Sequence, residues 1–181
     1  MDREGVLAKL RRIDENAFFS GEVPEGRKAT VVIVGGSALL LQQLSAKPAT
    51  KDVDVLAVED ALRAFLLEDP DFNMGCQAYC TCLLYNFEDR LVEVGEVFRS
   101  MRVFTPSPED LAVMKLYRWE APDRADLTSA AFLDALDRDL LERLVLDPGE
   151  AAASRIADPE KDREYQNLLF HYGEYRDGWL A

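Results

Sequence analysis

Residues 30–58, TVVIVGGSALLLQQLSAKPATKDVDVLAV, constrain this chain more than any other stretch. A run of β-branched residues, Val31, Val32, Ile33 and Val34, has the composition of a buried strand and stops at Gly35-Gly36-Ser37. A helical-looking segment follows from Ser37 to about Leu44, and Lys47-Pro48 ends it, because proline drives its predecessor out of helical angles. The next apolar run, residues 51–58, reads as a second strand and carries Asp52 and Asp54. Side chains two apart on a strand point the same way, so the two carboxylates share one side of a sheet while Val53 and Val55 take the other. Like charges held side by side repel, and a cation between them relieves the repulsion. Glycines at a strand-to-helix turn let a phosphate approach the backbone, and a helix N-terminus presents unpaired N–H groups to it. A phosphate cradle and a divalent-metal platform one helix apart point to nucleotide chemistry. The spacing does not fix whether the two strands run parallel.

Around this unit the chain reads as helices and short strands. Residues 4–19 form an amphipathic helix, with Val6, Leu10, Ile13 and Ala17 along one face. Residues 21–28 (GEVPEGRK) are a loop, and residues 59–69 a helix with Leu62, Phe65 and Leu66 inward, stopped by Pro70. Strands are expected at 79–87, at 90–94 (RLVEV, with Glu93 facing opposite to Val92 and Val94) and at 101–104 (MRVF). At Ser107-Pro108-Glu109-Asp110 a capping hydroxyl, a proline and two acids mark a strong helix start. From there the chain is nearly all helix. One helix runs to about Trp119, one covers 127–145 with Leu133, Leu136, Leu140 and Leu144 in line, and two more begin near Pro148 and Pro159. The division expected is an α/β core at 1–106 and a helical part at 107–181 packed on it.

Bulk properties narrow the functional classes. At 181 residues the chain suits one domain, or one domain with a helical appendage. No apolar run approaches a membrane span, and the start, MDREGVLAKLRR, does not have the pattern of a secretory signal. Three cysteines fit a reducing cytoplasm better than a disulfide framework. A net charge of −13 argues against duplex DNA as a partner, since such binding rests on Lys and Arg neutralising phosphates. A free nucleotide carried with metal stays compatible with that charge.

Gly35-Gly36-Ser37 followed by Thr50-Lys51-Asp52-Val53-Asp54-Val55 resembles the glycine and paired-aspartate signature of the nucleotidyltransferase superfamily, whose small members include many bacterial toxin–antitoxin proteins. A second block, Pro106-Ser107-Pro108-Glu109-Asp110-Leu111 with Met114-Lys115-Leu116-Tyr117 and then Asp126-Leu127, is similar to one bacterial branch of those proteins. The resemblance implies an α+β fold, a mixed sheet flanked by helices with a helical C-terminal half. It implies Mg²⁺ or Mn²⁺ held by Asp52 and Asp54, and phosphates of a nucleoside triphosphate on Gly35, Gly36 and Ser37. Active relatives usually add a third carboxylate from a later strand, and Glu93 is the candidate here, with Glu88 and Glu96 behind it. The activity implied is metal-dependent transfer of a nucleoside monophosphate to an acceptor. The alternatives are a catalytically degenerate nucleotide binder and an antitoxin-like module whose partner is a toxin or antitoxin protein.

The remaining residues have plainer readings. Lys115 is a candidate phosphate contact, against its reading as a solvent-facing helix lysine. Cys76, Cys80 and Cys82 lack a nearby fourth ligand and read as core or strand residues. His171, the single histidine, is far from any nucleophile motif and reads as a packed or surface side chain, and Trp119 and Trp179 read as packing.

Overall fold

The apolar run at 30–34 becomes the centre of a five-stranded mixed sheet in the computed structural model, which describes residues 1–76, 82–84, 86–147 and 156–178. The chain divides into two compact units, Met1–Ala78 with Leu91–Pro106, and Tyr79–Arg90 with Ser107–Ala181. The first unit holds helices α1 (Arg3–Ser20), α2 (Gly35–Leu41) and α3 (Asp60–Leu67) and strands β1 (Ala29–Val34), β2 (Val53–Val58), β3 (Phe72–Asn73), β4 (Val92–Glu93) and β5 (Met101–Thr105). The strand order is β3-β2-β1-β5-β4. The fold is α+β, with the sheet flanked by helices.

The directions of these strands settle what spacing left open. β2 runs antiparallel to β1, with Val34 opposite Asp54 and Ile33 opposite Val55, and a bulge shifts the register beyond Ile33 so that Val32 meets Ala57. β5 lies parallel to β1, β3 parallel to β2, and β4 antiparallel to β5. One face of the sheet, Val31, Ile33, Val53, Val55, Met101 and Val103, is fully buried. α1 packs against α2 and α3, both of which touch the sheet. The stripe expected on α1 is the one that goes inward: Val6, Leu10, Ile13 and Ala17 are all buried. On the same helix buried Asp14 accepts the backbone N–H groups of Arg99 (2.8 Å) and Ser100 (2.7 Å), which ties α1 to the segment entering β5.

Several expected elements come out shorter. The strand placed at 90–94 forms ladder pairs only at Val92 and Glu93. Of the strand placed at 79–87, residues 79–81 and 85 lie outside the described residues, as does Cys80, and Phe87–Arg90 is a 3-10 turn.

The second unit is helical: α4 (Pro108–Arg118), α5 (Ala121–Leu127), α6 (Ala130–Ala135), α7 (Arg138–Leu146) and α8 (Arg163–Asp177). Ser107 caps α4 as expected, accepting from the Asp110 N–H at 3.2 Å. The single helix expected at 127–145 is instead broken twice. Ser129 accepts from the Phe132 N–H and Asp137 from the Leu140 N–H, so each caps the start of a new helix, the second between Leu136 and Leu140, whose spacing alone suggested continuity. α8 starts four residues after Pro159, capped by Asp162. The helix expected near Pro148 begins outside the described residues, as does Trp179. His171 packs: its Nδ1–H donates to the Leu116 carbonyl at 2.7 Å and its ring stacks on Trp119. Among the described residues no helix is long and apolar enough to cross a membrane.

At the α4–α5 junction lies a buried ionic cluster. Lys115 Nζ donates to Asp123 (3.0 Å) and Asp126 (2.8 Å), and Arg118 also reaches Asp123, which is fully buried. Burial alone would raise the Asp123 carboxyl, but its bond to Arg118 and the Lys115 charge outweigh it and hold the group below the ordinary aspartate range. A depressed folded value contributes stability that is complete above the unfolded value of about 3.9 and is lost as pH falls through the lower folded one. Thermal melts should therefore separate wild type from Asp123→Asn by a gap that is constant from neutrality to about pH 5 and narrows below about pH 4. A gap independent of pH down to about pH 3 would contradict this assignment.

Candidate functional site

Antiparallel pairing of β1 with β2 puts the end of one strand beside the start of the other. Val34, the last residue of β1, faces Asp54, and the chain then turns at Gly35-Gly36 into α2. Gly35 adopts φ +67°, a left-handed conformation that side chains disfavour. At Gly36 a Cβ would stand 3.3 Å from the Thr50 Oγ1, so the turn and the segment leading into β2 are in close approach. Thr50 Oγ1 in turn donates to the Asp52 carbonyl at 3.1 Å, which shapes the bend where Asp52 sits just before β2 begins. Gly35, Gly36, Asp52 and Asp54 are all partly exposed, so the two halves of the expected site stand together and open to solvent. α2 spans only seven residues, so its dipole is small, and the close backbone approach allowed by the glycines is the larger asset for a phosphate.

Ser37 occupies a different position from the two glycines. It is fully buried, and its hydroxyl donates to the Val34 carbonyl at 2.9 Å, so this side chain fastens the turn from inside.

Asp54 is closely attended. Asn73 on β3 lies in register with it and donates from Nδ2 to Asp54 Oδ1 at 2.9 Å. The thiol of buried Cys76 lies 3.5 Å from the same oxygen and 3.2 Å from the Asn73 carbonyl. Burial pushes the Cys76 thiol up to about 12, and the negative charges of Asp54 and Asp52 add to that, so it stays protonated and donates. From sequence Cys76 reads as a core or strand residue, and Asn73 does not stand out. An asparagine two residues before a glycine, Asn73-Met74-Gly75, reads as a turn, and nothing local says that it pairs with Asp54.

Glu93 is not brought to the aspartates, which corrects its expected place as the third acid. It stands on β4, and β1 and β5 lie between β4 and β2. Following the register from Glu93 to Phe104, Val32 and along β1 to Val34 puts it on the Asp54 face. Three strand spacings nevertheless separate them, roughly 14 Å. A cation about 2.1 Å from each ligand oxygen cannot span that. The Glu93 carboxylate is instead held by Arg102 at 2.9 and 2.7 Å, which lowers its pKa. Glu96 is likewise engaged by Arg11, and Glu88 belongs to the second unit. Lys115 too lies in the second unit, 8% exposed with its ammonium between Asp123 and Asp126.

Among the described residues no group of three His, Cys, Asp or Glu side chains is placed to hold a metal ion. The donor set at Asp52 and Asp54 does fit a hard cation of another kind. Mg²⁺ is commonly held by one or two carboxylates, with substrate phosphates and water completing its shell. The partly exposed pair beside an open glycine turn offers that arrangement.

Comparison with curated proteins and with solved structures finds no match. A family model does match, over residues 8–180, nearly the whole chain and both of its units. Its description is nucleotidyltransferase of unknown function (DUF6036), and the chain belongs to that nucleotidyltransferase family.

Proposed function

We propose that this protein transfers a nucleoside monophosphate from a nucleoside triphosphate to an acceptor, with a divalent cation held between Asp52, Asp54 and the phosphates. The observation that carries the reading is the β1–β2 register, which sets the Gly35-Gly36 turn against Asp54. In the reaction an acceptor nucleophile forms a bond to the α-phosphorus, the bond from that phosphorus to the β-phosphate oxygen breaks, and pyrophosphate leaves with the electron pair. The nucleophile's proton passes to solvent or base. Charge accumulates on the phosphate oxygens, and a bound Mg²⁺ or Mn²⁺ would neutralise it. The glycine turn lets the triphosphate sit close to the backbone, and the aspartates orient it from the neighbouring strand.

Two carboxylates supply few ligands, so metal and nucleotide are expected to bind together, each weakly without the other. A triphosphate with Mn²⁺ at a hundredfold excess over Kd should stabilise the fold by about 2.7 kcal/mol and raise the melting temperature by roughly 5–10 °C. Either ligand alone should raise it far less. Incubation with α-labelled triphosphates and candidate acceptors then tests turnover. Label transferred to an acceptor with release of pyrophosphate supports the enzyme.

A second reading, nucleotide binding without turnover, is favoured by the amide of Asn73 beside Asp54 and by the distance of Glu93. Cooperative stabilisation without transfer would support it. No response to any triphosphate with metal would contradict both readings.

A further inference from the structure

The geometry points to Asn73 as the residue that positions Asp54 and limits the site to two carboxylates, so that the cation is held firmly only in company with the nucleotide. This rests on the metal-and-nucleotide reading of the site given above. The orientation of the amide follows from its two neighbours. Gly75 N–H donates to Asn73 Oδ1 at 3.0 Å, and since an N–H can only donate, the carbonyl end must face it. The amide nitrogen is thereby turned to Asp54 Oδ1, 2.9 Å away, where a carboxylate can only accept. Reversing the amide would set donor against donor and acceptor against acceptor. The side-chain carbonyl oxygen, the one side-chain atom of Asn73 suited to a cation, already accepts from Gly75, and its backbone carbonyl accepts from Cys76, so Asn73 acts through Asp54 and is a positioning residue.

The backbone makes that position consequential. β3 pairs with β2 so that Asn73 is the direct neighbour of Asp54 on one side, on the same face of the sheet, as Val34 of β1 is on the other. An aspartate at 73 would be isosteric, yet it could no longer donate. It would turn an attractive contact into a repulsion between carboxylates, which a divalent cation relieves. Chain chemistry at this one position thus decides whether the platform repels itself strongly enough to capture metal unaided.

The test compares full-length wild type, Asn73→Asp and Asn73→Ala by Mn²⁺ titration, read from the paramagnetic signal of free Mn²⁺, with and without a non-hydrolysable nucleoside triphosphate. Asn73→Asp is expected to tighten Mn²⁺ binding at least about tenfold in the absence of nucleotide, and to lose most of the dependence of metal affinity on nucleotide. Asn73→Ala, which removes the amide donor from Asp54 without adding charge, is expected to weaken Mn²⁺ binding in the presence of nucleotide by about threefold to tenfold. Melting temperatures measured alongside separate a structural role, since that would shift the apo melt and leave both affinities alone. Unchanged Mn²⁺ affinities in both variants, with wild type binding the metal and nucleotide together, would overturn this inference and leave the proposed function standing. Absence of Mn²⁺ binding by wild type with nucleotide present, and by Asn73→Asp without it, would overturn both.

Discussion

Replacement of Lys115 by methionine is expected to destabilise the protein by about 3 kcal/mol, a fall of roughly 6–12 °C in melting temperature. The ammonium is nearly buried and donates to two carboxylates, and Asp123, one of them, has no solvent exposure at all. Removing one member of a buried ionic group leaves its partners charged and short of a counter-ion, which costs more than the intact group contributes. The cost should fall at the low end of the usual range, about 3–5 kcal/mol, because Arg118 still reaches Asp123 after the change. Arginine at 115 should not restore stability, since a planar fork does not fit a site shaped for a point charge between two acids. Chemical denaturation of Lys115→Met measures this directly. A variant as stable as wild type, but with weakened triphosphate binding, would return Lys115 to the phosphate-contact role suggested by its sequence block.

Lys115 illustrates what local sequence conveys and what it omits. The helix carrying it was legible because its start is written in four consecutive residues, Ser107 to Asp110, and capping is a short-range matter. Its acidic partners lie eight and eleven residues on, across a helix junction, where periodicity says nothing about which faces meet. The α1 stripe and the turn at Gly35-Gly36 were legible for the same reason that Ser107 was. The breaks of the expected 127–145 helix at Ser129 and Asp137 were written in capping residues too, but across Asp137 the spacing from Leu136 to Leu140 stayed helical and outweighed the cap.

At the site the pattern was similar. Asp52 and Asp54 flag themselves by spacing and charge; the antiparallel ladder brings Asp54 to the end of β1, and Thr50, against Gly36 and the Asp52 carbonyl, places Asp52 just before β2. Strand order is a non-local property, and the alternation in 90–94 could give the face of Glu93 but not the number of strands between it and Asp54. The neighbour that does reach Asp54 comes from a strand of two residues, too short to carry any periodic signal.

On the proposed metal-dependent reaction, Asp54→Asn is expected to lower nucleotidyl transfer by about tenfold to a hundredfold or more, because it would weaken the hold on the cation. The fold should tolerate it. An asparagine keeps a carbonyl oxygen to accept from Asn73 Nδ2, and it removes a negative charge from beside Asp52. Apo stability is therefore expected to stay level or rise slightly. What the amide cannot replace is a carboxylate's hold on a hard cation.

Melting curves of wild type and Asp54→Asn in metal-free buffer, with Mn²⁺, and with Mn²⁺ and a non-hydrolysable nucleoside triphosphate, test the central claim that this pair binds a metal–nucleotide complex. The account predicts equal apo melts and a rise of roughly 5–10 °C with metal and nucleotide for wild type alone. A mutant destabilised by about 1–3 kcal/mol in metal-free buffer that still responds to metal and nucleotide as wild type does would contradict it, and would make Asp54 a structural hydrogen-bond acceptor.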